Sequence, residues 1–169
     1  MFKVNDYIVY GNAGVCRVDT IGPMDFGQGS SKDYYTLCPV YQRGSQVFTP
    51  VDNEKVVMRP VMSDEECRDL IARIDEIELL EITDEKKRED TYKEAIRTCD
   101  ADAWVSVIKT LYDRTQNRIH QGKKATSSDE KYMHIAKENL YGELAFSLKI
   151  TKEKVEEVIM GHLRSGVEV

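Results

Sequence analysis

The hydrophobic pattern of this chain changes from the period of strands to the period of helices near Arg59-Pro60-Val61. Before this point, short segments rich in Val, Ile, Thr and Tyr alternate with turn residues, as in β-strands. Connections this short leave no room for crossover helices, so neighbouring strands must pair antiparallel. The first part is therefore predicted to be a strongly bent antiparallel sheet or small barrel of the Tudor or SH3 type. The predicted strands are residues 7–10, 14–21, 33–41, 45–50 and 55–60.

After Pro60, apolar residues recur every three or four positions, which is the spacing of amphipathic helices. Ser63–Glu66 and Ser127–Glu130 carry the S-x-x-E pattern of a helix-capping box, and Thr83 and Thr151 are predicted caps of two further helices. This pattern predicts a compact bundle of about five helices. The fold class is therefore α+β with two domains, residues 1–60 and residues 61–169, because a proline disfavours a helical residue before it.

The composition is that of a folded protein, with 41% hydrophobic residues. The sequence begins without a basic region followed by an apolar run, and no segment approaches the roughly 20 apolar residues that span a bilayer. We therefore expect a cytoplasmic protein that does not contact a membrane. Cys16, Cys38, Cys67 and Cys99 lie far apart without a C-x-x-C pair, so we expect reduced, buried or half-buried thiols.

No segment carries a pattern typical of catalysis or of phosphate-binding loops, such as G-x-S-x-G, G-x-x-x-x-G-K-[ST] or H-E-x-x-H. His134 and Glu138 share a helix face, but two ligands are too few for a closed metal site, and an exposed pair is the preferred interpretation. We therefore expect a protein that is not an enzyme and uses no metal, cofactor or small-molecule substrate. Trp104 lies on an apolar helical stripe, so core packing is preferred to stacking on a base.

The net charge is −6, but the charges are unevenly placed along the chain. Residues 1–60 balance six basic against six acidic side chains, whereas residues 104–124 carry five basic side chains against Asp113 alone. An acidic protein can therefore present a local basic surface. The loop at Gln121-Gly122 is predicted to bring two helix ends together, where convergent cations suit phosphate oxygens, although a solvated helix face is the alternative. The cations concerned are Arg118, Lys123, Lys124 and Lys131, with Lys86, Lys87 and Arg88 at the start of another helix.

The sequence contains, in order, the stretches FKVNDYIVYGNAGVCRV, SQVFTPVDN, VIKTLYDR and DEKYMHIAKENLYGELAFSL. Together they resemble the CarD/CdnL family of bacterial RNA polymerase-binding transcription regulators. The likeness extends through nearly the whole chain, with the same change from strands to helices, and the stretch containing YGELA is its most specific part. The N-terminal half is also similar to the polymerase-interaction module of transcription-repair coupling factors, although no helicase sequence follows it.

This resemblance implies a Tudor-like N-terminal domain whose edge strand binds the lobe of the RNA polymerase β subunit. It also implies a helical domain that contacts promoter DNA at the upstream edge of the transcription bubble, weakly and mostly through phosphates, and so stabilises the open complex. By position, the polymerase-binding strand consists of Gln46, Val47, Phe48, Thr49 and Pro50. The positions that match DNA contacts are Lys86, Lys87, Arg88 and Lys131, and the charge pattern adds Arg118, Lys123 and Lys124.

The sequence departs from the family pattern at two positions that bear on function. Some members place a wedge tryptophan just before the basic pair of the DNA-facing helix, where this chain has Glu85, and Trp104 belongs to the following helix. Some members also carry an arginine on the polymerase-binding strand where this chain has Phe48, which implies a more apolar interface. The missing wedge and the acidic net charge leave a protein–protein adaptor, whose helical domain binds another protein instead of DNA, as the alternative function.

Overall fold

The computed structural model describes residues 1–27, 29 and 31–165, and it divides the chain into two compact units. Met1–Val61 forms a β unit, and Met62–Val169 forms a helical unit. The predicted class, a small antiparallel β domain followed by a helical domain, is confirmed.

The β unit is a five-stranded sheet in which every neighbouring pair is antiparallel. All five predicted strands are present, with β2 three residues longer and β3, β4 and β5 shorter than predicted. The strand order is β4-β3-β2-β1-β5, so β4 and β5 form the two edges. The strands are β1 Tyr7–Tyr10, β2 Gly14–Met24, β3 Lys32–Pro39, β4 Val47–Pro50 and β5 Met58–Pro60.

One face of this sheet forms the core of the β unit. Tyr35 and Leu37, which alternate along β3, are 1% and 0% exposed, and they pack with buried residues of β1 and β2. The Tyr35 hydroxyl accepts a hydrogen bond from the Phe2 amide at 3.2 Å, which closes one end of this core. Because successive side chains of a strand point to opposite faces, Tyr34 and Thr36 lie on the outer face of the same strand.

The helical unit contains the five helices that the sequence predicts. They are α1 Asp64–Ala72, α2 Arg88–Arg97, α3 Ala101–His120, α4 Ser127–Leu148 and α5 Lys152–Ser165. Trp104 is fully buried and its indole N–H donates to the Ile96 carbonyl at 3.1 Å, which confirms core packing for this residue. No helix of the described residues is long and apolar enough to cross a membrane.

Two of the four predicted helix caps are confirmed. The Ser63 hydroxyl accepts from the Glu66 amide at 3.1 Å and the Glu66 carboxylate accepts from the Ser63 amide at 2.7 Å, which completes the capping box of α1. At α5, the Thr151 hydroxyl accepts from the Lys154 amide at 3.1 Å. These bonds satisfy amides of the first turn that have no partner within the helix.

The other two predicted caps are wrong by one residue. Ser127 is already the first residue of α4, and the cap is Thr126, whose hydroxyl accepts from the Asp129 amide at 3.1 Å. The cap predicted at Thr83 is instead Asp84, which caps a short 3-10 turn, Glu85–Lys87, directly before α2. In each case a second capping residue stands beside the predicted one, and the sequence pattern alone does not distinguish them.

All four cysteines are free, as expected. Cys16, Cys67 and Cys99 are buried and Cys38 is half-buried. Burial raises the pKa of the Cys16 thiol to about 12, and burial together with the nearby Glu143 carboxylate raises that of Cys67 to about 11. These two thiols therefore stay protonated near neutral pH and are poor nucleophiles.

Candidate functional site

The first candidate surface is the β4 edge of the sheet. Within the part of the chain that the structure describes, β4 pairs on one side with β3 and no strand pairs with its other side. Gln46 is exposed and lies just before this strand, while Val47, Phe48, Thr49 and Pro50 form it. A strand edge of this kind presents unpaired backbone N–H and C=O groups to which another extended chain can bind.

The side chains of β4 alternate between the core and the outer face. Thr49 is buried opposite Tyr35, whereas Phe48 lies opposite Thr36 and is 42% exposed. Phe26, which is 56% exposed, lies with its ring centroid 6.3 Å from that of Phe48 and 4.9 Å from that of Tyr34. We call Phe26, Tyr34 and Phe48 the outer aromatic patch.

Sequence reasoning missed Phe26 and Tyr34 as members of this surface. Phe26 stands between Asp25 and Gly27, where the sequence indicates a turn and small or polar residues are usual, so a large aromatic side chain there was the available signal. Tyr34 adjoins the core residue Tyr35, and only the strand register shows which of the two faces outward.

The second candidate surface carries the predicted lysines of the helical unit. Lys86 and Lys87 lie in the 3-10 turn before α2, and Lys123 and Lys124 lie in the loop between α3 and α4. Lys131 lies near the start of α4, with its ammonium 5.4 Å from the ring centroid of Tyr132. All five lysine side chains are exposed. We call these five residues the lysine set.

The predicted arginines have a different environment, because each donates hydrogen bonds to the protein itself. Arg88 binds both oxygens of Glu85 at 2.8 and 2.7 Å and the hydroxyl of Tyr92 at 2.6 Å. The Arg88 guanidinium therefore holds the pKa of the Glu85 carboxyl below its usual value. Glu85 is thus bound in an ion pair.

Arg118 closes the loop that carries Lys123 and Lys124. Its Nε donates to the Lys124 carbonyl at 2.8 Å, and the Lys123 amide donates to the Arg118 carbonyl at 2.8 Å. Gly122 adopts a φ of +75°, a left-handed conformation that glycine accepts without strain. The end of α3 and the two loop lysines are therefore held together, while the predicted convergence of these cations with Lys131 stays a prediction.

Two further cations of the basic window were not assigned a role from the sequence. Arg114 donates from Nε to the Asp129 carboxylate at 2.8 Å and lies 3.6 Å from Glu85. The Lys109 ammonium donates to backbone carbonyls of the segment before α2, those of Ile74 and Ile77 at 2.9 and 2.5 Å. Of the five cations between residues 104 and 124, the two loop lysines are thus the exposed ones.

His134 and Glu138 are exposed on α4, as expected, and Glu138 forms an ion pair with Lys152 at 3.4 Å. The described residues contain no group of three or more His, Cys, Asp or Glu side chains that could hold a metal ion. The buried carboxylate of Glu143, within YGELA, accepts from the Met62 amide at 2.8 Å, and the Ser147 hydroxyl donates to the Met62 carbonyl at 2.6 Å. Glu143 therefore anchors the start of the helical unit.

These features define a two-domain α+β protein, with an aromatic strand edge in one unit and an exposed lysine set in the other. Two family models match the chain: the CarD-like/TRCF RID domain over residues 2–62, and the CarD C-terminal domain over residues 69–160. The chain belongs to the CarD family, and it is an RNA polymerase-interacting transcription regulator. CarD-like families are non-enzymatic. No curated protein matches this sequence.

Proposed function

We propose that the chain binds the β subunit of RNA polymerase through the β4 edge and holds nearby promoter DNA through the lysine set, which stabilises the open complex. The observation that carries this proposal is the one-sided pairing of β4, combined with the exposure of Phe48 on that strand. A regulator of this kind acts in the cytoplasm, where bacterial polymerase works.

At the β4 edge, main-chain hydrogen bonds supply affinity and the alternating side chains supply specificity. Phe48 and Phe26 are large, exposed and close together, and aromatic residues of this kind often dominate the energy of a protein interface. The polymerase surface that meets β4 is therefore expected to be apolar opposite Phe48.

In the helical unit, exposed ammonium groups suit phosphate oxygens, which position a protein on DNA without reading its sequence. Tethering to polymerase raises the effective concentration of nearby DNA, so a few weak phosphate contacts suffice even though the net charge is −6. The position that the resemblance assigns to a wedge tryptophan holds Glu85, which is paired with Arg88. We therefore expect this protein to contact DNA phosphates without a tryptophan wedge there.

The proposed polymerase interface is tested by a pull-down of bacterial RNA polymerase with the full-length protein and its Phe48→Asp variant. Val57→Asp is the matched control, because Val57 is 41% exposed, close to the 42% of Phe48, and lies beside β5 at the opposite edge. Loss of binding in Phe48→Asp alone supports the β4 edge. Equal binding by both variants rejects it.

The adaptor remains the second candidate function, because Arg88, Arg114 and Arg118 are all bonded within the protein and leave, of the predicted DNA-binding residues, the lysines to meet DNA. The double variant Lys123→Glu/Lys124→Glu separates the two functions. The measurement is the lifetime of the open complex, made under conditions in which the variant and the wild type bind polymerase equally. The DNA role requires a shorter lifetime. Lys154→Glu/Arg164→Glu, which makes the same charge change on α5, is the control.

A further inference from the structure

The arginines near the lysine set are half-buried, whereas the lysines are exposed. Arg88, Arg114 and Arg118 line one cavity of about 470 Å³ in the helical unit. Each guanidinium donates to an acceptor of the protein, whereas the lysine side chains are exposed. The two kinds of cation therefore have different physical roles on the same surface.

We infer that Arg114 is a positioning residue, which holds the turn bearing Lys86 and Lys87 and the start of α4 in the arrangement that presents the lysine set. This inference rests on the proposed DNA role of that set. Arg114 lies within α3 and forms ion pairs with both neighbouring segments, with Asp129 of α4 and with Glu85 of the 3-10 turn.

The bond to Asp129 is the stronger of the two. The Asp129 side chain is 4% exposed, and its carboxylate lies 2.8 Å from Arg114 Nε. Asp129 also lies in the first turn of α4, and its amide donates to the capping hydroxyl of Thr126. A buried carboxylate that loses its guanidinium partner is left uncompensated, so the first turn must rearrange.

The second, longer ion pair connects the turn before α2 to the same guanidinium. Glu85 lies 3.6 Å from Arg114 and directly precedes Lys86 and Lys87 in the turn. Ser128, next to Asp129, is hydrogen-bonded to Glu89 of α2, so the starts of α2 and α4 also contact each other. Arg114 thus lies where the segments bearing three members of the lysine set meet.

This arrangement predicts a result opposite to that expected from charge alone. Removing a carboxylate from a DNA-binding surface lessens repulsion of phosphates and should strengthen DNA binding. If Arg114 positions the lysine set through Asp129, removing that particular carboxylate should instead weaken the DNA contact. The sign of the effect therefore distinguishes positioning from simple electrostatics.

The experiment compares Asp129→Leu with Glu130→Gln in the full-length protein, by the lifetime of open complexes at saturating regulator. Both changes remove one negative charge, and Glu130 is the exposed neighbour of Asp129. We expect Asp129→Leu to shorten the lifetime by at least about tenfold, as for the loss of one hydrogen bond to a charged group, and Glu130→Gln to maintain or lengthen it. A longer lifetime with Asp129→Leu would overturn the inference.

Arg114→Lys settles the case in which Asp129→Leu does not fold. It keeps the charge, but a single ammonium cannot reproduce the directed fork of a guanidinium. We expect a shorter lifetime together with faster amide exchange at residues 84–88 and 126–130, while exchange in α5 is unchanged. Wild-type lifetime and wild-type exchange in Arg114→Lys would reject the positioning role.

Lys123→Glu/Lys124→Glu, measured alongside, separates this inference from the proposed function. If the lysine reversal leaves the lifetime unchanged, the DNA role fails whatever Asp129→Leu does. If the reversal shortens the lifetime but Asp129→Leu and Arg114→Lys do not, the DNA role stands and the positioning inference alone is rejected.

Discussion

The β4 edge and the lysine set differ in the kind of group that each presents to a partner. The β4 edge offers backbone hydrogen bonds and aromatic rings, and its recognition should depend little on salt because apolar burial is not screened. The lysine set offers exposed charges, which are screened within about 10 Å at 0.1 M salt. The two proposed sites would therefore combine a salt-resistant anchor and a salt-sensitive contact within one short chain.

The largest effect is expected from a change that destabilises the helical unit, which carries the lysine set, and leaves the β4 edge unchanged. Trp104→Ala deletes a fully buried indole and should cost about 3–5 kcal/mol of unfolding free energy. Urea unfolding followed by circular dichroism measures the loss, and polymerase pull-down should remain at the wild-type level. Loss of polymerase binding in this variant would show that the β4 edge does not act alone.

The next effect concerns the aromatic edge. Phe48→Asp should weaken polymerase binding by at least about thirtyfold, the size of a hot-spot loss of roughly 2 kcal/mol, because it places a charge on an apolar contact. Titration by surface plasmon resonance at two salt concentrations measures it. Wild-type affinity that falls steeply with salt would contradict an apolar interface and indicate an electrostatic one.

A smaller effect is expected from single members of the lysine set. Each Lys→Gln change should reduce the slope of log K against log salt by about 0.9 for DNA in the polymerase complex, and the wild-type slope should be about −3 to −4 for four phosphate contacts. Lys87→Gln and Lys124→Gln are the first to measure. A wild-type slope near zero would remove phosphate contact from the mechanism.

The smallest effect is a pH dependence of the Glu85 ion pair. Because Arg88 lowers the pKa of the folded Glu85 carboxyl, its stabilisation is present above the unfolded pKa and disappears as the pH falls through the folded pKa. Glu85→Gln should therefore lower the urea midpoint slightly at pH 7, and less as the pH falls below 4.5, the usual value for this carboxyl. An equal difference at pH 7 and pH 3 would contradict this account.

Sequence patterns predicted the strands and helices well because both depend on local periodicity. The five strands and five helices were all found, and the errors lie at their ends, as with Ser127, where the adjacent Thr126 is the cap. The predicted polymerase-binding strand begins one residue late in the structure, since Gln46 precedes β4. Burial of Trp104 followed from its apolar stripe.

The candidate sites were only partly predictable, because charge and exposure are separate properties. Arg118 and Lys124 are both cations of the same sequence window. In the structure the Arg118 guanidinium donates to the Lys124 carbonyl, whereas the Lys124 side chain is exposed. Asp129 is 15 positions from its partner Arg114, a separation that no helix periodicity links. Phe26 belongs to the outer aromatic patch because its ring lies near that of Phe48, which is 22 positions away in the sequence.

The sequence by itself determined the order of the secondary structure, the change from strands to helices near Pro60, and the presence of a cationic window in an acidic chain. Those properties follow from residue type and spacing along the chain. Only the tertiary structure decided that β4, expected as an edge strand from the resemblance, pairs on one side alone among the described residues, and that Arg88, Arg114 and Arg118 are bonded within the protein. The physical reason is that a hydrogen bond or a strand pairing depends on residues distant in sequence, which meet only after the chain has folded.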